Sequence, residues 1–378
     1  LELQQAVAEA LATAVTTHPE GSAGAVIVLD VATGQVRAMT SFPTYDPAIF
    51  DPLRLHAVAG LNEALNDPQR PLLNRAAQSE YPPGSTFKIV TMAAALNSGL
   101  YTPDTEYTST GSWDRLGSGF IKYDWQEGGH GTLTLVEALM ASCNSCFYEA
   151  TYRLNEADPD LLPQTARQFG FGTPAGIDAI QEAAGLVPDP EYKLNVQGTA
   201  WEAGDAVNMG IGQGFVLVTP LQLAQVIAAI ANDGVLLQPT LVNRIGANEE
   251  TVTAQPAEPV GALPLRSEHL DAIREGLWGV ANDPSLGTAV EPLDQLAIPV
   301  AGKTGTSETG GEPHAWFAGY APAMPYTRPD GVLVTEPEIA IVVLMENAGE
   351  GSEVAAPIFR RVVELYYGIQ PLTPYPWE

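Results

Sequence analysis

The sequence predicts an α+β fold: a five-stranded, mainly antiparallel sheet flanked by helices, with a mostly helical lobe inserted between its first and last strands. Three observations carry this. Two apolar, strand-like runs lie near the N-terminus, three lie in the last hundred residues, and helical periodicity dominates the middle. Strands at both ends of a chain meet in one sheet because their apolar faces need a common partner. The short connections between the last three favour antiparallel pairing. The 378 residues then read as one domain, with an α/β lobe at about 1–45 and 285–378 and a helical lobe at about 46–284. A site belongs in the cleft between the lobes.

Each element has a local reason. Leu3, Val7, Ala10, Leu11 and Ala14 recur at helical spacing over residues 1–17. Gly24 to Asp30 and Gln35 to Thr40 are apolar runs joined by an Asp/Thr/Gly turn, which predicts a hairpin. The stretch 42–84, rich in Pro, Asn and Asp, reads as irregular. A helix should start at Ser85, after Pro82-Pro83-Gly84, and stop near Gly99. A polar, Gly-rich segment (104–131) precedes helices at Leu133 to Met140 and Ser145 to Leu154. Residues 186–218 read as irregular, and Pro220 opens a helix to Ala231 with proline in its first turn. Residues 246–264, with Asn248-Glu-Glu250 and three prolines, read as an exposed connection. Ser267 to Ala281 is helical, strands are expected at 297–306, 315–321 and 337–346, and Val354 to Tyr367 closes the chain as a helix.

Composition narrows function mainly by exclusion. Forty-five acidic residues against 17 basic ones give a net charge of −28, which repels phosphate backbones and anionic lipid, so no nucleic-acid partner is expected. The longest clean apolar run, Ile339 to Met345, is too short to span a bilayer. The chain opens on Leu1 without a signal-like segment, so it is expected to be a piece of a longer protein. Two cysteines, Cys143 and Cys146, are too few for a disulfide framework. Only Lys88, Lys122, Lys193 and Lys303 are lysines, so each one kept is informative.

Lys88 follows Ser85 by three residues, which places both on one helix face, a turn apart. A neutral lysine can take a serine's proton, and burial or a second cation would keep it neutral near pH 7. The backbone N–H of Ser85, at a helix start, can serve an oxyanion. Lys303 heads Lys303-Thr-Gly-Thr306 on a strand candidate, where Thr304 and Thr306 share a face and Gly305 could let a substrate backbone lie close. Ser142-Cys-Asn144 lies between two helices and offers a hydroxyl for proton relay and an amide for substrate. Singly, these read as a solvated pair, an edge strand and helix caps.

In this order, Ser85-Thr-Phe-Lys88, Ser142-Cys-Asn144 and Lys303-Thr-Gly305 resemble the signature of the penicillin-recognising serine acyltransferases. The resemblance extends to Gly24 through Pro47, Tyr81-Pro-Pro-Gly84, Gly210-Ile-Gly-Gln-Gly214 with Thr219-Pro-Leu-Gln222, Gly287-Thr288, and Ala315 through Pro322. These look like a penicillin-binding transpeptidase domain. Asp124-Trp125, Gly129-His-Gly131 and Pro188 to Lys193 look most like its class B, elongation-type members.

The resemblance implies that Ser85 attacks the penultimate D-Ala carbonyl of a peptidoglycan stem peptide, with Lys88 as base. It implies that Ser142, with Lys303 or Lys88, passes a proton to departing D-Ala, and that Asn144 holds the donor's amide. Thr304 and Thr306 hydroxyls, helped by the Lys303 charge, would bind the terminal carboxylate. Backbone N–H groups of Ser85 and Thr306 would form the oxyanion hole. An acceptor stem amine then resolves the acyl-enzyme, and β-lactams acylate Ser85. No cofactor is required. The implied partners are donor and acceptor stem peptides, β-lactams, and a cell-wall synthesis complex with a glycosyltransferase. The implied location is extracytoplasmic, with an N-terminal membrane anchor outside this chain.

Alternatives are a β-lactam sensor without turnover, a D,D-carboxypeptidase, and a serine β-lactamase. The last is suggested by Glu191-Tyr-Lys-Leu-Asn195, a deacylating-glutamate pattern set in a transpeptidase-like context. Asp124, His130 and Cys143 are three zinc-competent side chains within twenty residues, with Asp114 or water as a fourth ligand. A structural zinc there would brace the Ser142–Asn144 loop; the ordinary reading, a buried thiol, a surface Asp and a turn-capping His, is preferred.

Overall fold

The computed structural model describes the whole chain except residues 55–56, 179, 247–252, 255, 329–330 and 372. Five strands, β1 (Ala23–Asp30), β2 (Val36–Phe42), β3 (Ala301–Ser307), β4 (His314–Ala321) and β5 (Ile339–Glu346), form one sheet in the order β3-β4-β5-β1-β2. Every neighbouring pair is antiparallel. The first and last strands meet at β1·β5, where Ala23 faces Glu346 and Asp30 faces Ile339.

The principal helices are α1 (Glu2–Thr17), α2 (Lys88–Asn97), α3 (Leu135–Met140), α4 (Asn144–Ala157), α5 (Ala203–Gly210), α6 (Pro220–Ala231), α7 (Ser267–Asn282) and α8 (Ala356–Tyr366). Helices cover both faces of the sheet, so its central strands read as unbroken apolar runs. Period two still sorts the side chains. Ile27, Leu29, Ala340, Val342, Leu344, Trp316 and Ala318 pack towards α2, α6 and the helical region. Val26, Val28, Ile341, Val343, Met345 and Phe317 pack towards α1 and α8. Helix α6 is buried all round, as an apolar helix beneath a sheet must be. Its start is fixed by Pro220 and by a capping box in which Thr219 and Gln222 satisfy each other's backbone N–H.

Some expectations are corrected. Residues 42–84 contain a helix at Ala57–Asn66, and 186–218 contain α5, entered through a Glu202/Asp205 capping box. Proline-rich flanks hide both from a composition reading. The closing helix begins only after a wider turn at Gly351–Ala355. Within 246–264, Asn248 to Glu250 lie outside the described residues; Thr253–Ala254 and Pro259–Ala262 are short exposed strands.

Candidate active site

Ser85 lies in a 3-10 turn, Gly84–Phe87, that runs into α2. Three backbones crowd there. A Cβ on Gly84 would sit 2.5 Å from the Thr306 carbonyl oxygen, and one on Gly212 would sit 2.1 Å from the Gly84 oxygen. Both residues have positive φ, and the Gly84 N–H donates to Gly212 O at 3.0 Å. Glycine is thus required on both sides of the contact. Behind the turn, Trp316 Nε1 and Ser307 Oγ donate to Pro82 O (3.1 and 2.5 Å). Tyr81 OH and Arg75 Nε donate to Glu346 Oε1 (2.7 and 2.8 Å). The Ser85 turn is therefore fastened to β3, β4 and β5.

Lys88 is the first residue of α2 and has no exposed surface. Its Nζ donates to Ser142 O and Asn144 Oδ1, both at 2.6 Å, and lies 3.3 Å from Ser142 Oγ. Two carbonyl oxygens can only accept, so they take both hydrogens of a neutral amine and leave its lone pair for a hydroxyl. Burial pushes the Lys88 pKa down to about 7, against the pull of the Asp124 carboxylate. Ser142 holds this position with a left-handed φ of 52°.

Lys303 is also fully buried, with Nζ 3.2 Å from Thr304 O. Burial, and then the charge of Lys88, hold its pKa well below the ordinary value. Thr304 Oγ1 shares a 2.7 Å hydrogen bond with Thr288 Oγ1, which brings the Gly287-Thr288 pair to the same cleft. Gly305 differs from its expected use. A Cβ there would meet Thr86 Cγ2 at 2.9 Å and Pro83 O at 3.1 Å, so its bare Cα admits the Ser85 turn. Thr306 Oγ1 donates to Glu350 Oε2 at 2.5 Å and accepts from Gly351 N at 3.3 Å. Neither Glu350 nor its contact was visible in any sequence motif.

Asp124, His130 and Cys143 do converge, with ligand atoms within 4.8 Å of one another, whereas Asp114 is exposed and outside the group. Cys143, however, is joined to Cys146 in a disulfide. This corrects both the zinc-thiolate and the free-thiol expectations. The spacing places the cysteines at the N-cap and third position of α4, one turn apart. Zinc binds an anionic thiolate, and a disulfide sulfur carries no such charge, so the donor set does not fit the metal.

The visible role of Asp124 is different. Its Oδ1 accepts from Asn144 N (3.2 Å), and its Oδ2 accepts from Ser145 N and Ser145 Oγ (both 2.8 Å). Burial opposes ionisation, but hydrogen bonds from His130 and Ser145 hold the Asp124 carboxyl well below the usual carboxylate range. Asp124 thus clamps the loop that carries Ser142 and Asn144. Glu191 is exposed and accepts from Asn195 Nδ2 at 3.4 Å.

The family model described as penicillin binding protein transpeptidase domain matches residues 24–364. The peptidoglycan D,D-transpeptidase MrdA of Escherichia coli strain K12 is 32% identical over 383 residues, covering 96% of this chain and 56% of the relative. The peptidoglycan D,D-transpeptidase PbpA of Mycolicibacterium smegmatis is 34% identical, covering 90% and 66%. The chain therefore spans little more than half the length of the MrdA relatives it matches. Among solved structures, Pseudomonas aeruginosa PBP2 in complex with WCK 5153 superposes with a TM-score of 0.82 at 31% identity, over 97% of this chain and 76% of that one. The penicillin G acyl-enzyme of penicillin-binding protein A from M. tuberculosis superposes at 0.78 and 28% identity, over 97% and 78%. The buried lysine, the serine turn and the Lys-Thr-Gly edge strand thus stand on a shared scaffold, and the chain belongs to the penicillin-binding protein transpeptidase family.

Proposed function

We propose that this chain is the transpeptidase domain of an elongation-type peptidoglycan D,D-transpeptidase, one domain over 1–378 with its cleft between the sheet and the helical lobe. Ser85 attacks the penultimate D-Ala carbonyl of a donor stem peptide. Neutral Lys88 accepts the Ser85 proton, and Ser142, in contact with Lys88, relays it to the departing D-Ala. Thr304, Thr306 and Lys303 receive the terminal carboxylate, Asn144 receives the donor amide, and the N–H groups of Ser85 and Thr306 stabilise the oxyanion. An acceptor amine then takes the acyl group, forming the cross-link.

The observation that carries this reading is the environment of Lys88. A fully buried amine one helical turn from Ser85 touches the Ser142 carbonyl and hydroxyl and the Asn144 side chain and has its pKa lowered to about 7. Incubation with a fluorescent penicillin should give one label per chain, absent in Ser85→Ala. A stoichiometric label surviving in Ser85→Ala, or no label on wild-type protein, would overturn the assignment.

The relatives support a wider setting. Similarity to a chain in a structure titled for coordination of polymerization and crosslinking by a peptidoglycan synthase complex, TM-score 0.81 and 33% identity, supports a glycan-polymerising glycosyltransferase partner. Stem peptides in the wall place the domain outside the cytoplasm. Among the described residues no helix is long and apolar enough to cross a membrane.

A further inference from the structure

The contact between Thr306 and Glu350 does not suit a site built only for a carboxylate-bearing donor. The Thr306 hydroxyl has one hydrogen, and it is given to Glu350 Oε2 at 2.5 Å. A donor carboxylate reaching Thr306 must displace Glu350 and meets a like charge beside it. Glu350 is exposed, and among the described residues no Lys, Arg or His forms an ion pair with it. Its place is nevertheless fixed. A Cβ on the next residue, Gly351, would lie 2.3 Å from Gly305 O and 2.4 Å from Trp316 O, so the backbone is pressed against β3 and β4. A side-chain carboxylate is thus held at the rim of the cleft with no cation of its own.

We propose that Glu350 recognises the second substrate: it binds the ammonium of the acceptor and favours aminolysis of the acyl-enzyme over hydrolysis. This rests on the transpeptidase reading above. The Thr306 N–H is the proposed oxyanion donor, and covalent geometry keeps it within roughly 4 Å of Thr306 Oγ1, so one nitrogen near Glu350 can also reach the acyl carbon. Once D-Ala has left, the carboxylate subsite is vacated and Glu350 attracts a cation there. The bound R–NH3⁺ gives one proton through Glu350 to water, and its freed lone pair forms the C–N bond. The C–Oγ bond to Ser85 breaks, and Oγ takes the second nitrogen proton through Ser142 and Lys88. The products are an amide, free Ser85 and one proton in solvent.

The test uses a thioester donor ending in a carboxylate, with D-alaninamide or methanol as competing acceptor, and measures transfer against hydrolysis. This ratio counts only molecules that have acylated, so poorly folded protein does not enter it. Glu350→Gln should lower the amine-transfer ratio by about two- to fivefold, the scale of an exposed ion pair, with methanol transfer falling less. Glu350→Asp should retain more of the amine preference than Glu350→Gln. An unchanged amine ratio in Glu350→Gln, or equal losses for amine and methanol, overturns the proposal. Absence of Ser85-dependent acylation instead overturns the transpeptidase reading itself.

Discussion

Acylation of Ser85 should follow the titration of Lys88. Burial removes the amine from water and disfavours its ammonium form, bringing the pKa to about 7. Only the neutral amine can accept the serine proton, so the rate rises with pH as Lys88 deprotonates. With a pKa of about 7, the neutral fraction grows from about a tenth at pH 6 to about nine-tenths at pH 8, roughly a tenfold gain that levels off above. An ordinary lysine would give a gain of about a hundredfold over the same interval and no plateau before pH 10. The assay is the second-order rate of labelling by a chromogenic β-lactam, measured by stopped flow with a reagent that does not itself titrate between these limits. A rate flat from pH 6 to 8, or one still rising steeply at pH 9, would refute the reasoning.

Two structural predictions accompany it. Asp124→Asn removes the charge that clamps Asn144 and Ser145 and that partly holds the proton on Lys88. It should cost about 1.5–3 kcal/mol in thermal or denaturant unfolding and move the acylation midpoint to lower pH; an upward shift would contradict the electrostatics. Gly212→Ala places a Cβ against the Gly84 carbonyl at a left-handed φ of 73°. It should destabilise by about 1–3 kcal/mol or more and slow β-lactam labelling, and wild-type values for both would show that the turn can yield.

Much of this arrangement was legible along the chain because it rests on local periodicity and short motifs. The sheet strands announce themselves as apolar runs, and α6 by its proline and capping residues. The three-residue spacing from Ser85 to Lys88 already sets one face. The helices at Ala57–Asn66 and Ala203–Gly210 were missed because proline- and asparagine-rich flanks dominate a composition window. Glu350 was missed because no local pattern distinguishes it among 45 acidic residues. The zinc expectation counted ligand types without the possibility that Cys143 would close on Cys146 one turn away.

The sequence by itself determined the family and the five strands of the central sheet, and it singled out the residues proposed to react, since these depend on residue type, periodicity and spacing. Tertiary structure alone decided their chemistry. Lys88 and Lys303 are ordinary lysines on paper; burial without exposed surface lowers both pKa values, and the nearby charge of Lys88 adds to the effect at Lys303. Gly305 and Gly212 are small residues on paper; only the approach of a second backbone shows what their missing side chains admit. Burial and close approach are properties of segments far apart in sequence, so no single stretch of the chain can carry them.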